Sequence, residues 1–337
     1  MMIQENVSLK PYNTFGIDVN ARRFVSVTSV DELKNVIEQS RHEPLFIIGG
    51  GSNMLLTRDV DALVIQINLR GMEVLRQTDD SVWVEVQAGE SWHEFVLYAI
   101  SNDWGGIENM SLIPGNVGTA PIQNIGAYGR EIKDTFVSCK ALHLKTLELH
   151  EFTNEACKFG YRESIFKQSV KGEYIIVSVV FKLTRRNHVI NTAYGDIQAE
   201  LAAQGVTKPT IADVSRAVIA IRQSKLPDPK VLGNSGSFFK NPVIPASQFD
   251  ELKLRFPDIK SFPVSETEVK VPAGWLIEKA GLKGKRWGNA GVHEKQALVI
   301  VNYGGASGAE ILEVSKKVQR EVFEQFGVAI EAEVNVI

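Results

Sequence analysis

The eighteen residues Leu112–Gly129, LIPGNVGTAPIQNIGAYG, hold four glycines and two prolines, with Gln123 and Asn124 set among small side chains. Such a stretch cannot fill a core, so it reads as backbone shaped to lie against a ligand. Glycine admits positive φ and close approach, while proline fixes φ and removes a donor. The freed N–H groups can form a concavity for an anion, and a pyrophosphate suits it. The plainer alternative is a turn-rich surface loop, but loops of this length in compact domains are usually functional.

A second glycine run, Gly49-Gly50-Gly51-Ser52-Asn53-Met54, follows the apolar segment Leu45–Ile48, which reads as a buried strand. A strand followed by glycines raises the dinucleotide fingerprint of the Rossmann fold. That alternative fails, because no third glycine follows at the required spacing. The chain also runs on into another strand-like segment, Ala62–Asn68, where a helix should open. The pattern fits a nucleotide-type loop in a different fold.

The elements that must position these loops form an α+β series. Arg23–Val27 reads as a strand, and Ser29-Val-Asp-Glu32 as a capping box opening a helix to about Arg41. Val82–Ala88 alternates after the Asp79-Asp80-Ser81 turn, and Ser91-Trp-His-Glu94 starts a helix to about Asn102. His93 is explained by its place in that helix's first turn. Strands dominate from Thr135 to Leu183. A helix from about Thr210 to Gln223 precedes Leu226-Pro227-Asp228-Pro229, a proline-punctuated joint and the preferred domain boundary. Beyond it, helices are expected near Ala246–Phe256 and Trp275–Ala280, and a strand at Ala297–Asn302. A long helix, Ser307–Phe326, carries Ile311, Val314, Val318, Val322 and Phe326 on one face. Val328–Val336 is expected to close the chain as a strand.

Composition narrows the function classes. At 337 residues the chain has room for two or three domains, and 44% hydrophobic with 23% charged residues is ordinary for a globular protein. The formal net charge of −3 leaves no basic footprint for nucleic acid. No apolar run approaches the ~20 residues that span a bilayer, and MMIQENVSLK lacks the apolar core of a signal peptide. Cys139 and Cys157 form no metal-spaced motif, and the histidines form no metal-type cluster, so no metal is expected. A cytoplasmic location and reduced thiols follow as the default. Oligomeric state is not legible, and a monomer is the working expectation.

Eight segments in fixed order carry a resemblance. They are NTFGI (Asn13–Ile17), GGGSNML (Gly49–Leu55), IPGNVGTAPIQNIGAYG (Ile113–Gly129), YRESIFK (Tyr161–Lys167), KLPDPKVLGNSGSFFKNP (Lys225–Pro242), PAGWLIEKAGLKG (Pro272–Gly284), HEKQALVIVN (His293–Asn302) and EAEV (Glu331–Val334). Over essentially its whole length the chain resembles the UDP-N-acetylenolpyruvylglucosamine reductases, flavoenzymes of bacterial peptidoglycan synthesis. The resemblance implies a two-subdomain FAD-binding fold of the vanillyl-alcohol-oxidase type plus a C-terminal α+β substrate-binding domain. Its boundaries would be 1–70 (completed by 327–337), 71–226 and 227–326. FAD would be held non-covalently by Gly49, Gly50, Gly51, Ser52, Asn53 and Met54 in one loop. Pro114, Gly115, Val117, Gly118, Gln123, Asn124, Ile125 and Gly126 would hold it from the other. NADPH would be the reductant.

The reaction implied is reduction of an enolpyruvyl ether: hydride to C3, charge delocalised from C2 into the carboxylate, and a proton to C2. The protein must then supply a cationic cradle and a positioned acid. By the resemblance, Arg162 is the cradle, since a guanidinium stays charged and grips a carboxylate bidentately; read alone, it could equally be a surface partner of Glu163 or Glu173. Ser237 matches the proton donor, with Ser235 two residues earlier where a small residue is expected in relatives. Glu333 matches the family's glutamate, although alternation alone puts Glu331 and Glu333 on one strand face and cannot separate them. Asn335 stands where many relatives carry a basic residue. Tyr194 matches the tyrosine of the longer subtype, which closes over the UDP diphosphate. Lys225, Asn241, Lys283 and Gln296, with Tyr128 and Tyr161, are the remaining substrate contacts implied. Two other readings stay open from the residues: an FAD-dependent oxidase of a small alcohol, and a catalytically dead nucleotide-binding protein.

Overall fold

The strand Tyr174–Thr184 is apolar at almost every position because both its faces are covered. Ile175 and Val177 join a core with Leu33, Val36, Ile37, Leu63 and Ile65. Ile176, Val179 and Phe181 join another with Trp92, Phe95 and Ile107. Continuous apolar runs of this kind mark a strand between two layers rather than one with a wet face.

The computed structural model describes residues 2–337. They divide into two compact units: a first of the residues up to Val7 with Ala21–Gly50 and Asp61–Ser224, and a second of Ser8–Asn20, Gly51–Val60 and Lys225–Ile337. In the first, a four-stranded sheet runs in the order Gln4–Ser8, Asn20–Val27, Val60–Ile67, Leu45–Ile48, the last pair parallel with Leu45 opposite Leu63. Helix Val30–Gln39 provides the crossover. Its start is fixed by Ser29, whose side chain accepts from Glu32 N, a cap typically worth about 1 kcal/mol. A five-stranded antiparallel sheet follows, ordered Leu149–Thr153, Phe136–His143, Tyr174–Thr184, Ser81–Gln87, Met72–Gln77. Helix Trp92–Ser101 packs on it, with Trp92 and Phe95 fully buried against Phe181. Cys139 and Cys157 are buried free thiols, and the hydrogen bond between them raises the Cys139 pKa.

In the second unit, Gly233–Asn234, Ile300–Asn302, Ala290–Val292 and Arg286–Trp287 make a four-stranded antiparallel sheet. The helix Gly308–Phe326 buries the stripe Ile311, Val314, Val318, Val322, Phe326 expected from its spacing, opened by a Ser307–Glu310 capping box and closed at Gly327 with φ +67°. Its first residue must be glycine, since a Cβ on Gly308 would lie 1.8 Å from the Leu56 carbonyl oxygen.

Several expectations need correction. The last strand is only Asn335–Val336, parallel to Met54–Leu55. Upstream, residues 331–333 spend their backbone bonds on a single bridge, Phe239 opposite Ala332, so no continuous ladder forms. The strand expected at Ala297–Asn302 is Ile300–Asn302, because a Val299 N to Gln296 O turn (3.1 Å) occupies its start. Helix Ile197–Ala203 and the small sheet Val243–Pro245, Glu268–Lys270, Phe262–Pro263 were not expected. Among the described residues no helix is long and apolar enough to cross a membrane.

Candidate functional site

The loop 112–129 of the first unit is built on the turn that ends strand Ser81–Gln87. Trp92 N donates to Gly115 O (3.0 Å), Val117 N to Glu90 O (2.8 Å), Gly118 N to Ala88 O (2.9 Å) and Asn116 Nδ2 to Gly89 O (3.0 Å). The first two glycines of the other run meet this loop: a Cβ on Gly49 would sit 2.9 Å from Thr119 Cγ2, and one on Gly50 would sit 2.6 Å from Asn116 Oδ1. Backbone thus meets side chain with no room between. Gly50 and Pro114 are exposed, and Gly49, Gly115, Gln123 and Gly126 half-buried. This open backbone track fits a dinucleotide's diphosphate. Val117, Gly118, Asn124 and Ile125 are buried, so they can contribute only through the main chain.

Asn124 is a bolt. Its backbone is left-handed (φ +45°), and its fully buried side chain donates to Gly160 O (2.9 Å) and Glu131 Oε2 (3.0 Å) and accepts from Lys133 N (3.2 Å). Gly160 begins the two-residue hairpin Tyr161-Arg162, closed by reciprocal bonds between Gly160 and Glu163 at 3.0 and 3.3 Å. Arg162 sits at φ +56°, a conformation that costs a non-glycine residue about 1–2 kcal/mol. Its Nη2 donates to Gly126 O (2.9 Å), its guanidinium lies 5.4 Å from the Tyr161 ring centroid, and Lys167 Nζ donates to its carbonyl (3.0 Å). Ser164 Oγ ties the hairpin's exit to Ile122 O at 2.6 Å. Glu163 pairs instead with Lys167 (3.8 Å). Arg162 and Tyr161 are therefore brought to Gly126, and strain at a bolted turn is a mark of functional sites.

Tyr128 and Tyr194 meet in the same unit. A Cβ on Gly195 would lie 3.6 Å from Tyr128 Cδ1, and one on Gly129 would lie 3.4 Å from Tyr194 Cβ; Tyr194 is 53% exposed. Beneath Tyr128 stands Arg222, which the sequence reading missed. Burial lowers its pKa, a hydrogen bond to the Tyr128 side chain opposes that, and its buried Nε has no partner. Nothing in the helical pattern of Ile211–Lys225 marks it. His93 is also more than a first-turn residue: Ser91 caps the helix, while His93 Nδ1 accepts from Leu112 N (2.9 Å), pinning the start of the glycine loop. Burial lowers the His93 pKa.

In the second unit two segments, 238–240 and 331–333, meet in antiparallel register next to Ser237. Glu333 N donates to Phe238 O (2.8 Å) and Lys240 N to Glu331 O (3.1 Å), around the Phe239–Ala332 bridge. Glu333 thus lies across from Phe238, the residue after Ser237; Ser237 itself is exposed beside Gly236 at φ +68°. Glu331 is paired with Lys240 at 2.6 Å. Ser235, unlike the exposed Ser237, is buried and donates to Ser52 O at 2.6 Å. Phe238 N donates to Leu298 O (2.7 Å), and Gln296 Oε1 accepts from Leu298 N (3.4 Å). Asn241 Oδ1 caps helix Ala273–Lys279 by accepting from Ala273 N (2.9 Å). Lys283 is paired with Glu278 (2.8 Å), and Lys225 ends its helix exposed. Gly51, Ser52, Asn53 and Met54 belong to this unit and Arg162 to the other. No group of three or more His, Cys, Asp or Glu side chains that could hold a metal occurs among the described residues.

Comparison with known proteins agrees with this reading of the loops. Residues 228–337 match the family described as UDP-N-acetylenolpyruvoylglucosamine reductase, C-terminal domain, and residues 21–146 match the FAD binding domain family. A protein of Flavobacterium johnsoniae named UDP-N-acetylenolpyruvoylglucosamine reductase is 66% identical over 337 residues, covering 100% of both chains. One of the same name from Pseudomonas aeruginosa is 48% identical over 335 residues, covering 99% of this chain and 98% of that protein. Among solved structures, UDP-N-acetylenolpyruvylglucosamine reductase from Thermus caldophilus aligns with TM-score 0.70 at 25% identity over 99% of each chain. A solvent-stable cholesterol oxidase shares the fold at TM-score 0.51 and 11% identity, over 99% of this chain and 86% of that one. The expected class, an α+β FAD-binding fold followed by a C-terminal α+β domain, is the one found.

Proposed function

Because the chain belongs to the UDP-N-acetylenolpyruvoylglucosamine reductase family and carries its FAD-binding domain, we propose that it uses NADPH to reduce UDP-N-acetylglucosamine-enolpyruvate to UDP-N-acetylmuramate, in the cytoplasm. It is a flavoprotein oxidoreductase of peptidoglycan precursor synthesis. The observation that supports the finer reading is the exposed Ser237 next to Phe238, whose carbonyl accepts from Glu333 N (2.8 Å).

The chemistry FAD would supply when bound is hydride transfer, taken from NADPH and passed to C3 of the enolpyruvyl group. Gly49–Met54 and the 114–126 segment would hold it, their glycines admitting the diphosphate to the backbone. Arg162 grips the carboxylate of the enolpyruvyl group, where negative charge accumulates as C3 gains hydride; a fixed donor of this kind is worth roughly a hundred- to thousandfold. Glu333 orients the carboxylate end and takes part in proton handling. Ser237 Oγ gives its proton to C2 and regains one from water, which closes the charge balance. Tyr194 and Tyr128 enclose the diphosphate, with Lys225, Asn241, Lys283 and Gln296 on the nucleotide half.

The test is visible absorption of the anaerobic holoprotein through two additions. NADPH should bleach the flavin band, and the enolpyruvyl substrate should restore it. Bleaching without recovery would keep the flavoprotein and remove this substrate; no bleaching by NADPH would remove the reductant.

A further inference from the structure

Three consecutive carbonyls of the second glycine run are held by three different segments of the second unit. Gly51 O accepts from Thr14 N (3.1 Å), and Ser52 O from Ser235 Oγ (2.6 Å). Asn53 O accepts from Asn335 Nδ2 (2.9 Å) and N (3.2 Å), and Asn53 Nδ2 returns a bond to Glu333 O (3.4 Å). Ser235 lies two residues before Ser237, and Asn335 two residues after Glu333. Both side chains bond neighbouring peptides of one loop.

We propose that Ser235 and Asn335 are positioning residues, a two-point clasp that ties the loop Gly51–Asn53 to the segments carrying Ser237 and Glu333. Each reacting group is then fixed on both sides. Ser237 lies between the Ser235–Ser52 tie and the Phe238–Leu298 bond, and Glu333 between its bond to Phe238 and the Asn335–Asn53 tie. The first tie is needed because Gly236, at φ +68°, separates Ser235 from Ser237. A glycine there leaves the intervening link free to pivot unless both flanks are held. Ser235 is only 6% exposed, so its bond to Ser52 competes little with water. Filling the FAD site restrains the loop and, through the clasp, both segments. By reciprocity, loosening the clasp weakens FAD binding by the factor by which FAD loses its hold on them.

The kinetic consequence rests on the roles given above to Ser237 and Glu333, whereas the clasp is testable without substrate. Amide hydrogen exchange is followed over 235–239 and 333–336, with and without FAD, in the parent protein and in Ser235→Ala, Asn335→Ala and the double variant. FAD should protect both segments in the parent, and the gain should shrink about fivefold for each hydrogen bond removed, with FAD affinity falling to match. Reoxidation by the enolpyruvyl substrate should slow by a similar factor while reduction by NADPH is unchanged. Equal protection by FAD in parent and double variant would overturn the proposal, as would equal slowing of both half-reactions. Altered protection with unchanged reoxidation would uphold the clasp and count against the roles of Ser237 and Glu333. If the double variant loses FAD altogether, the single variants supply the same comparison.

Discussion

The Arg162 hairpin and the Ser237–Glu333 pairing hold their reacting groups in opposite ways. Arg162 is itself the left-handed residue of a two-residue turn kept in place by side chains: Asn124 on Gly160, Ser164 on Ile122, Lys167 on the Arg162 carbonyl. Ser237 and Glu333 are set chiefly by main-chain bonds between 238–240 and 331–333. A turn held by side chains can be loosened by one substitution, whereas the main-chain bonds themselves are not removed when a side chain is changed. The Arg162 turn thus depends on several side chains at once, and the 238–240 and 331–333 pairing on fewer, with the ties of Ser235 and Asn335 at its flanks.

The largest expected effect comes from removing chemistry while leaving these main-chain bonds intact. Ser237→Ala should slow reoxidation of the flavin by substrate by about 10²–10⁴-fold, the range for a lost general acid, and spare reduction by NADPH. Stopped-flow of each half-reaction checks this, and equal loss in both would remove Ser237 as donor. Next, Asn124→Ala strips the hairpin of its bolt and leaves buried polar groups unpaired. It should cost about 1–3 kcal/mol in urea unfolding and weaken substrate binding more than a change at Glu331 does. A third test uses pH. Burial holds the folded His93 below its ordinary 6.5, so between those two pKa values the unfolded chain binds the proton and the folded one does not. Stability should fall as pH drops from about 6.5 toward the lowered value, and His93→Gln, which no longer titrates, should flatten that slope in thermal melts. The smallest effect belongs to Glu331→Gln: an exposed pair with Lys240 is worth at most about 1 kcal/mol, and turnover should stay within about twofold. A large loss there would reverse the assignment of the two glutamates.

What the sequence carried and what it withheld divide along physical lines. Helix starts were legible because the capping pattern is local: Ser29, Ser91 and Ser307 each accept from a backbone N–H three residues on. The stripe on Gly308–Phe326 was legible because its period is intrinsic to the helix. Both glycine runs showed that backbone had to come close to something. The surroundings of Glu331 and Glu333 were not legible, since they depend on which main-chain groups of 238–240 lie opposite, some ninety residues away in the chain. Asn124 was expected at the cofactor, yet its side chain is committed to Gly160, Glu131 and Lys133, which no local pattern encodes. Arg222 escaped for the same reason: burial of a guanidinium under Tyr128 is a tertiary fact.

The left-handed backbone at Arg162 bears on how this protein would respond to selection. Glycine and asparagine tolerate that conformation best, and neither carries a cation. Variants selected only for heat resistance should therefore accumulate Arg162→Gly or Arg162→Asn, relieving the turn and losing turnover together. On the role proposed for Arg162, arginine at that corner serves the reaction against the preference of the backbone.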